Sequence, residues 1–308
     1  MNVLSPHGFL LLDKKPGFTS FDSLAEMKKT FATKKVGHTG TLDKFASGLL
    51  LALVGRGVKL TPMFANCVKE YTATLFFGEE TDTLDPEGEV VARGNVPSQM
   101  EVEAALGGFR GEILQSPPAY SAIHVNGRRA HELAREGRTP EMKKRPVTIH
   151  ELELLSWNPP LAEMRFSVSA GTYIRSLARD IALKAGSRAY LSALRRTGIG
   201  PFSLEDAVES AAGPHATGGP DTALRPLDSR LFEALSYQCF YLDDAAAAGF
   251  LHGKPLCDLL PAPVANSRNA KSAAEFAGVF RKDSNGELLG LLEMGSGEWT
   301  YAHVFADS

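Results

Sequence analysis

The segment Lys35-Val36-Gly37-His38-Thr39-Gly40-Thr41-Leu42-Asp43 ends a run held by two glycines, and furnished with hydroxyl and backbone donors, in a carboxylate. Glycine lets a backbone approach a bound group closely, so a carboxylate in this setting is presented for chemistry. A Walker-type phosphate loop would close on Gly-Lys-Ser or Gly-Lys-Thr, an ending absent here. An ordinary solvated turn fits the same residues, and spacing alone leaves both readings open. His38 has no partner at the spacing of a zinc ligand set, which leaves a local hydrogen-bonding role as its plain reading. Cys67, Cys239 and Cys257 stand far apart and form no CxxC pair, a pattern that supports neither a zinc nor a redox site and fits a reducing, cytoplasmic setting.

Elements that could position this segment are legible on either side of it. Residues 9–12 form an apolar run closed by Lys15-Pro16-Gly17, which predicts a short buried strand. Ser20 is the expected N-cap of a helix whose stripe is Phe21, Leu24, Ala25, Met27 and Phe31, with Lys28, Lys29, Lys34 and Lys35 toward its end. Residues 37–41 then read as a loop, and residues 49–54 and 71–77 as strands. Ser98 with Glu101 predicts a capping box before a helix that stops at Gly107-Gly108. Residues 164–168 read as a strand that passes through Gly171-Thr172 into a helix carrying Ile174, Leu177, Ala178, Ile181 and Ala185. Strands and helices mix without βαβ alternation, which predicts an α+β fold with a mixed, largely antiparallel sheet. A Gly/Pro/Ala-rich stretch at residues 211–220 is the expected boundary, followed by a small β-rich module with a helix at 243–251.

With 308 residues, 44% hydrophobic and 22% charged, the chain can bury a sizeable core, which excludes disordered and disulfide-scaffold classes. Its richest apolar run is far shorter than the roughly 18 residues a membrane span needs. A formal charge of −3 argues at first against a polyanionic partner. The charge is unevenly spread, however: residues 211–308 hold 7 basic and 12 acidic side chains, leaving 26 and 24 in the first 210. Between positions 128 and 145 seven basic residues face three acidic ones, and local distribution decides what a polyanion meets.

Motifs in the first two thirds of the chain resemble the bacterial tRNA pseudouridine-55 synthases, the TruB family. They are Leu11-Leu12-Asp13-Lys14 with Gly17 and Ser20, and Gly37-His38-Thr39-Gly40-Thr41-Leu42-Asp43 with Ala46 and Gly48. Lys69-Glu70-Tyr71, Gly78 and Thr81-Asp82-Thr83 follow. Gln115-Ser116-Pro117-Pro118, Tyr120-Ser121-Ala122, Gly171-Thr172-Tyr173-Ile174-Arg175 and Leu194-Arg195-Arg196 complete the order.

The resemblance implies an isomerase that breaks the glycosidic bond of uridine 55 in the T loop of tRNA, turns the base and rejoins it through carbon, with no cofactor and no metal. It implies that Asp43 is the catalytic carboxylate, that Arg175 pairs with it, and that Tyr71 stacks on the base or moves a proton, where a core-packed strand tyrosine is the plain alternative. The base must be flipped out, and by resemblance His38 fills the vacancy. Gly40, Thr41, Tyr173 and Leu194 are implied RNA-binding residues. Arg135, Lys143, Lys144 and Arg145 belong to a basic insert, about residues 124–148, that would contact phosphates. Lys44 stands where the family has proline, Ser47 where threonine is common, and His124 and His131 where lysine and tyrosine are frequent.

The expected organisation is a pseudouridine synthase domain over residues 1–230 and a PUA-like domain over 231–308. The expected partner is the T arm of tRNA, with no membrane, no protein partner and a monomeric state. An RNA-binding protein of the same fold without turnover, and a synthase acting on ribosomal RNA, are the alternatives. Asp43, Tyr71 and Arg175 together disfavour the first, and the two motifs ending at Asp43 and Tyr71 disfavour the second.

Overall fold

Two unbroken apolar runs form adjacent strands of the main sheet. The computed structural model describes residues 6–125, 127–138, 140–209, 223–260, 276–282, 286–295 and 297–305; the boundary expected at 211–220 lies outside these. Strand β1 (Gly8–Lys14) is buried along almost its whole length, as a strand covered on both faces must be. After helix α1 (Ala25–Thr30) and the short strand β2 (Val36–His38), β3 (Ser47–Val54) pairs antiparallel with β1 from Gly8↔Val54 to Lys14↔Gly48. Strand β4 (Lys69–Phe77) follows, with Tyr71, Ala73, Leu75 and Phe77 facing inward at period two.

A ribbon of β5 (Glu79–Thr81) and β6 (Val90–Arg93) precedes helix α2 (Gln99–Leu106), whose Ser98–Glu101 capping box is formed as expected. Then come β7 (Gly111–Gln115), a hairpin of β8 (His124–Val125) and β9 (Arg128–Arg129), and α3 (Ala130–Arg135). Strands β10 (Arg145–Asn158) and β11 (Leu161–Val168) lead to α4 (Ile174–Lys184), β12 (Ala189–Ile199), β13 (Phe202–Ser203) and β14 (Val208–Glu209).

The main sheet runs β14-β1-β3-β12-β4-β11-β10-β7, with β2 on β3 and β13 on β12. Its pairings are antiparallel except β1 with β14 and β3 with β12, so the α+β, largely antiparallel expectation holds. The β3–β12 junction places Arg196 opposite Gly48. Gly48 has φ +102°, and a Cβ there would lie 2.3 Å from the Arg196 carbonyl oxygen, so a side chain is excluded twice over.

Helix α5 (Ser229–Ala234), β15 (Gln238–Leu242), α6 (Asp244–Leu251), β16 (Phe276–Arg281), β17 (Leu288–Gly295) and β18 (Glu298–Val304) build the C-terminal part, whose sheet runs β15-β16-β17-β18. Phe232, Phe276, Phe280 and Phe305 from this part join Phe9, Leu11, Leu49, Leu51 and Leu53 of the main sheet in one apolar cluster. Among the described residues no helix is long and apolar enough to cross a membrane.

The start of the first helix differs from expectation. The Thr19 hydroxyl accepts from the backbone of Asp22 at 3.1 Å and the Asp22 carboxylate accepts from the backbone of Thr19 at 3.0 Å, so Thr19, not Ser20, ties down this end. Phe21, 65% exposed, and Ala25, also exposed, leave the expected stripe. Residues 37–38 belong to β2, so the loop begins at Thr39.

Candidate active site

Asp43 lies on the connection from β2 to β3, and six hydrogen bonds fix that connection. Ser20, freed from capping, accepts from the Leu42 backbone N–H at 2.9 Å and donates to its carbonyl at 3.1 Å. The Arg196 guanidinium, 1% exposed, donates to the carbonyls of Leu49 at 2.7 Å and Gly40 at 3.0 Å, bridging the loop and the strand that follows it. Gly17 N–H donates to the Lys44 carbonyl at 2.8 Å, and Thr39 N–H to the Leu51 carbonyl at 3.1 Å. Leu42 and Ala46 sink into the cluster that holds Tyr71. A carboxylate between two buried anchors on a loop this constrained has little orientational freedom left to lose.

Arg175, at the second position of α4, reaches this loop from the other side. Its Nη2 donates to Asp43 Oδ1 at 3.1 Å, and its Nε lies 3.0 Å from Oδ2. Nη1 donates to Asp85 Oδ2 at 3.1 Å and the Thr83 carbonyl at 2.7 Å, and Nη2 also reaches the Tyr120 carbonyl at 3.0 Å. Asp85 is itself buried and accepts from the Thr83 hydroxyl at 2.6 Å and the Glu87 N–H at 3.0 Å. One buried guanidinium thus lies between two carboxylates, paired with both and hydrogen-bonded through Nη1 and Nη2, while its Nε, buried and 3.0 Å from Asp43 Oδ2, makes no aligned hydrogen bond.

A carboxylate beside a cation is expected to titrate low. At Asp43 burial outweighs Arg175, and Asp85 adds repulsion, so its pKa is raised above the ordinary 3.8. Beneath the loop Lys14 is 0% exposed, its ammonium donating to the carbonyls of Phe18 at 2.7 Å and Lys15 at 3.0 Å, with that of Lys44 at 3.4 Å. Burial brings the Lys14 pKa down to about 8, against an opposing pull from Asp43. Burial, reinforced by Arg196, also lowers the His38 pKa, which favours a neutral imidazole. His38 Nδ1 is buried without a hydrogen-bond partner.

Asp43, Asp85, Arg175 and His38 open on a cleft of about 1090 Å³. His38, Gly40, Thr41, Asp43, Tyr71, Arg135, Arg145, Tyr173, Arg175 and Leu194 all line it, so ten of the twelve residues singled out in the sequence converge. The exceptions are Lys143 and Lys144, which are exposed just before β10 and do not line the cleft. Tyr173 is held by its backbone: Gln115 Oε1 accepts from its N–H at 2.8 Å and Gln115 Nε2 donates to its carbonyl at 3.1 Å. The Arg145 guanidinium lies 5.0 Å from the Tyr173 ring centre. In the basic insert Arg128 and Arg138 both pair with Glu136, so part of its positive charge is spent internally.

Asp85, Gln115, Lys14 and Arg196 support the site without having been assigned a role from the sequence. A lysine closing the apolar run 9–12 is a signal for Lys14, because a charge at the end of a buried strand must be solvated by something. Asp85 follows Thr81-Asp82-Thr83 closely, but nothing in its neighbourhood points to Arg175, 90 residues away. Among the described residues no three of His, Cys, Asp or Glu converge as a metal ion would require.

The family model for TruB family pseudouridylate synthase (N-terminal domain) matches residues 28–174. A protein of Burkholderia mallei named tRNA pseudouridine synthase B is 41% identical over 294 residues, covering 94% of this chain and 94% of its own length. One of the same name from Borreliella burgdorferi is 48% identical over 205 residues, 66% of this chain and 73% of its own. Among solved structures, a chain of a Cbf5-Nop10-Gar1 complex superposes with a TM-score of 0.66 at 24% identity, covering 98% of this chain and 84% of that one, a likeness of fold.

Proposed function

The chain belongs to the TruB family of pseudouridylate synthases and is an isomerase, and we propose that it converts uridine 55 in the T loop of tRNA to pseudouridine. The observation that carries this reading is the contact of Arg175 with both oxygens of Asp43 in the lining of the cleft. The cleft, at about 1090 Å³, is at the upper end of the roughly 300–1,000 Å³ usual for small-molecule sites, room enough for a nucleotide.

In this reading the target nucleotide is extruded from the T loop into the cleft, an unstacking that costs a few kcal/mol. His38 lines the same cleft and takes up the space the base leaves, and Tyr71, 9% exposed and packed in the core cluster, still lines the cleft, where its ring stacks on the base. The reaction is an isomerisation: the bond from N1 to C1′ breaks, the uracil turns, C5 bonds to C1′, and the proton lost from C5 is balanced by one gained at N1. Asp43 acts as its ionised form, whether it attacks C1′, adds to C6 or assists an elimination to a glycal. Arg175 supports each route alike by holding the carboxylate in place and opposing its protonation. Arg135 and Arg145 line the cleft on the side of the insert and are suited to phosphates, with Lys143 and Lys144 as outer contacts.

The division into a synthase domain over residues 1–230 and a PUA-like module over 231–308 is part of the proposal. It is supported by a second apolar cluster, Phe240, Ala247, Phe250, Val279 and Leu292, inside the C-terminal part. The test is to incubate the protein with unmodified tRNA transcript and to map pseudouridine by position. Conversion confined to position 55 is expected; conversion elsewhere, or none, overturns the assignment.

A further inference from the structure

We propose that Phe21 and Lys44, which line the cleft, form a second nucleotide subsite, where a base of the RNA strand flanking the extruded uridine stacks on Phe21 and a backbone phosphate meets Lys44. The proposal rests on the chain acting on RNA, as read above.

Phe21 is the starting point because folding does not account for it. Its spacing with Leu24 and Met27 suits an inward stripe, and those two are 1% exposed, yet Phe21 is 65% exposed and lines the cleft. Lys28 Nζ stands 3.7 Å from the centre of its ring, so the ring already carries a cation. An aromatic face with cations beside it is the arrangement by which proteins hold single-stranded nucleic acid: bases stack on the ring and the charges follow the backbone.

Lys44 supplies the second half. It immediately follows Asp43, lines the same cleft, and its side chain is 56% exposed. Its ammonium lies 3.9 Å from Glu87, whose side chain is also exposed, a pairing weak enough for a phosphate to replace. Two anchors bring Lys44 alongside Phe21: the Lys44 carbonyl accepts from Gly17 N–H at 2.8 Å, and Ser20, next to Phe21, is bonded to Leu42 at 2.9 Å. Phe21, Lys44 and Asp43 thus line one cleft, where a strand delivering a nucleotide to Asp43 has to enter. Arg145 and Tyr173 form a comparable pair of cation and ring elsewhere in the lining, so the cleft offers two aromatic rings with cations beside them to one strand.

The probe is a T-arm stem-loop RNA carrying unmodified uridine. Phe21→Trp is expected to acquire tryptophan emission, above that of Trp157 and Trp299, that is quenched as RNA saturates the site. Phe21→Leu keeps an apolar side chain but loses the π face, and is expected to weaken RNA binding about tenfold with an unchanged melting temperature. Lys44→Gln is expected to lower the slope of log K against log salt by about 0.7, the contribution of one phosphate on a single strand. Unquenched emission from a Phe21→Trp protein that still binds RNA, or wild-type affinity of Phe21→Leu, overturns the stacking role. An unchanged salt slope in Lys44→Gln overturns the phosphate contact. Turnover by the wild type on the same RNA separates the two levels: a wild type that turns over while these variants bind normally removes the subsite alone, whereas a wild type that converts no uridine removes the function together with it.

Discussion

Arg175 meets Asp43 side-on, with Nη2 3.1 Å from Oδ1 and Nε 3.0 Å from Oδ2, so that both carboxylate oxygens face one buried guanidinium. Asp43→Asn keeps the shape of that contact and removes the charge. Pseudouridine formation is expected to fall on the order of 10³-fold or more, while tRNA binding survives. Single-turnover assays with gel-shift binding on the same preparation check both halves; measurable steady-state turnover by the variant would remove Asp43 from the chemistry.

Arg175→Ala strands Asp85 as well as Asp43, because the same guanidinium serves both. A rate loss of orders of magnitude is expected together with a stability loss of about 3–5 kcal/mol, the usual consequence of breaking a buried pair from one side. Urea denaturation measures the second effect, and a rate within about twofold of wild type would exclude the residue from the site.

Asp43 and its two neighbours predict opposite pH displacements. Burial and Asp85 raise the Asp43 pKa while Arg175 lowers it, so Asp85→Asn should move its titration down and Arg175→Gln should move it up. Carbon-13 NMR of the Asp43 carboxyl reports this without needing activity. Since the folded pKa lies above the unfolded value, this group makes stability fall as pH rises from about 3.8 through the folded pKa.

Lys14 carries the opposite sign. Its folded pKa of about 8 lies below its ordinary 10.5, so the unfolded chain binds the extra proton between those values and stability should rise with pH across that window on its account. In Lys14→Met that rise is expected to be absent. Chemical denaturation at intervals from pH 7.5 to about 10.5 makes the comparison; identical slopes for the two proteins would show that the ammonium is not held as the structure has it.

Neutralising Lys143, Lys144 and Arg145 together should weaken tRNA binding and flatten its salt dependence. Arg145 lines the cleft and the two lysines do not, so Arg145→Gln alone should also raise KM for a short stem-loop, whereas Lys143→Gln with Lys144→Gln should act mainly on full-length tRNA. Fluorescence anisotropy over a range of salt concentrations distinguishes these cases, and an unchanged slope in the triple variant would show that none of them touches phosphate.

Much of this site is legible in the amino-acid order because its parts obey short-range rules. The runs at β1 and β3 read as buried strands since nothing polar interrupts them, and Ser98 with Glu101 declares its helix outright. Strands β10 and β12 escape the period-two pattern because bulges at Ile149/Glu151, Leu154/Ser156, Leu191/Ala193 and Arg196/Gly198 shift the alternation midway. Thr19 and Ser20 are equally good caps by type. Asp22, three residues after Thr19, decides between them, and Ser20 is left to hold Leu42, a partner 22 residues away. Asp85 and Arg196 likewise act through residues far along the chain, where local pattern carries no information.

The aromatic cluster that joins the C-terminal sheet to the main one has a consequence for engineering. Phe232, Phe276, Phe280 and Phe305 cover Phe9, Leu49, Leu51 and Leu53, and the Tyr237 hydroxyl is bonded to the Met63 carbonyl at 2.8 Å. Strand β3, whose back these residues shield, starts four positions after Asp43. Cutting the chain near residue 220 would leave a sticky apolar scar on the reverse of the strand that carries the reactive loop, so the C-terminal module is a poor candidate for trimming or for exchange with that of another enzyme.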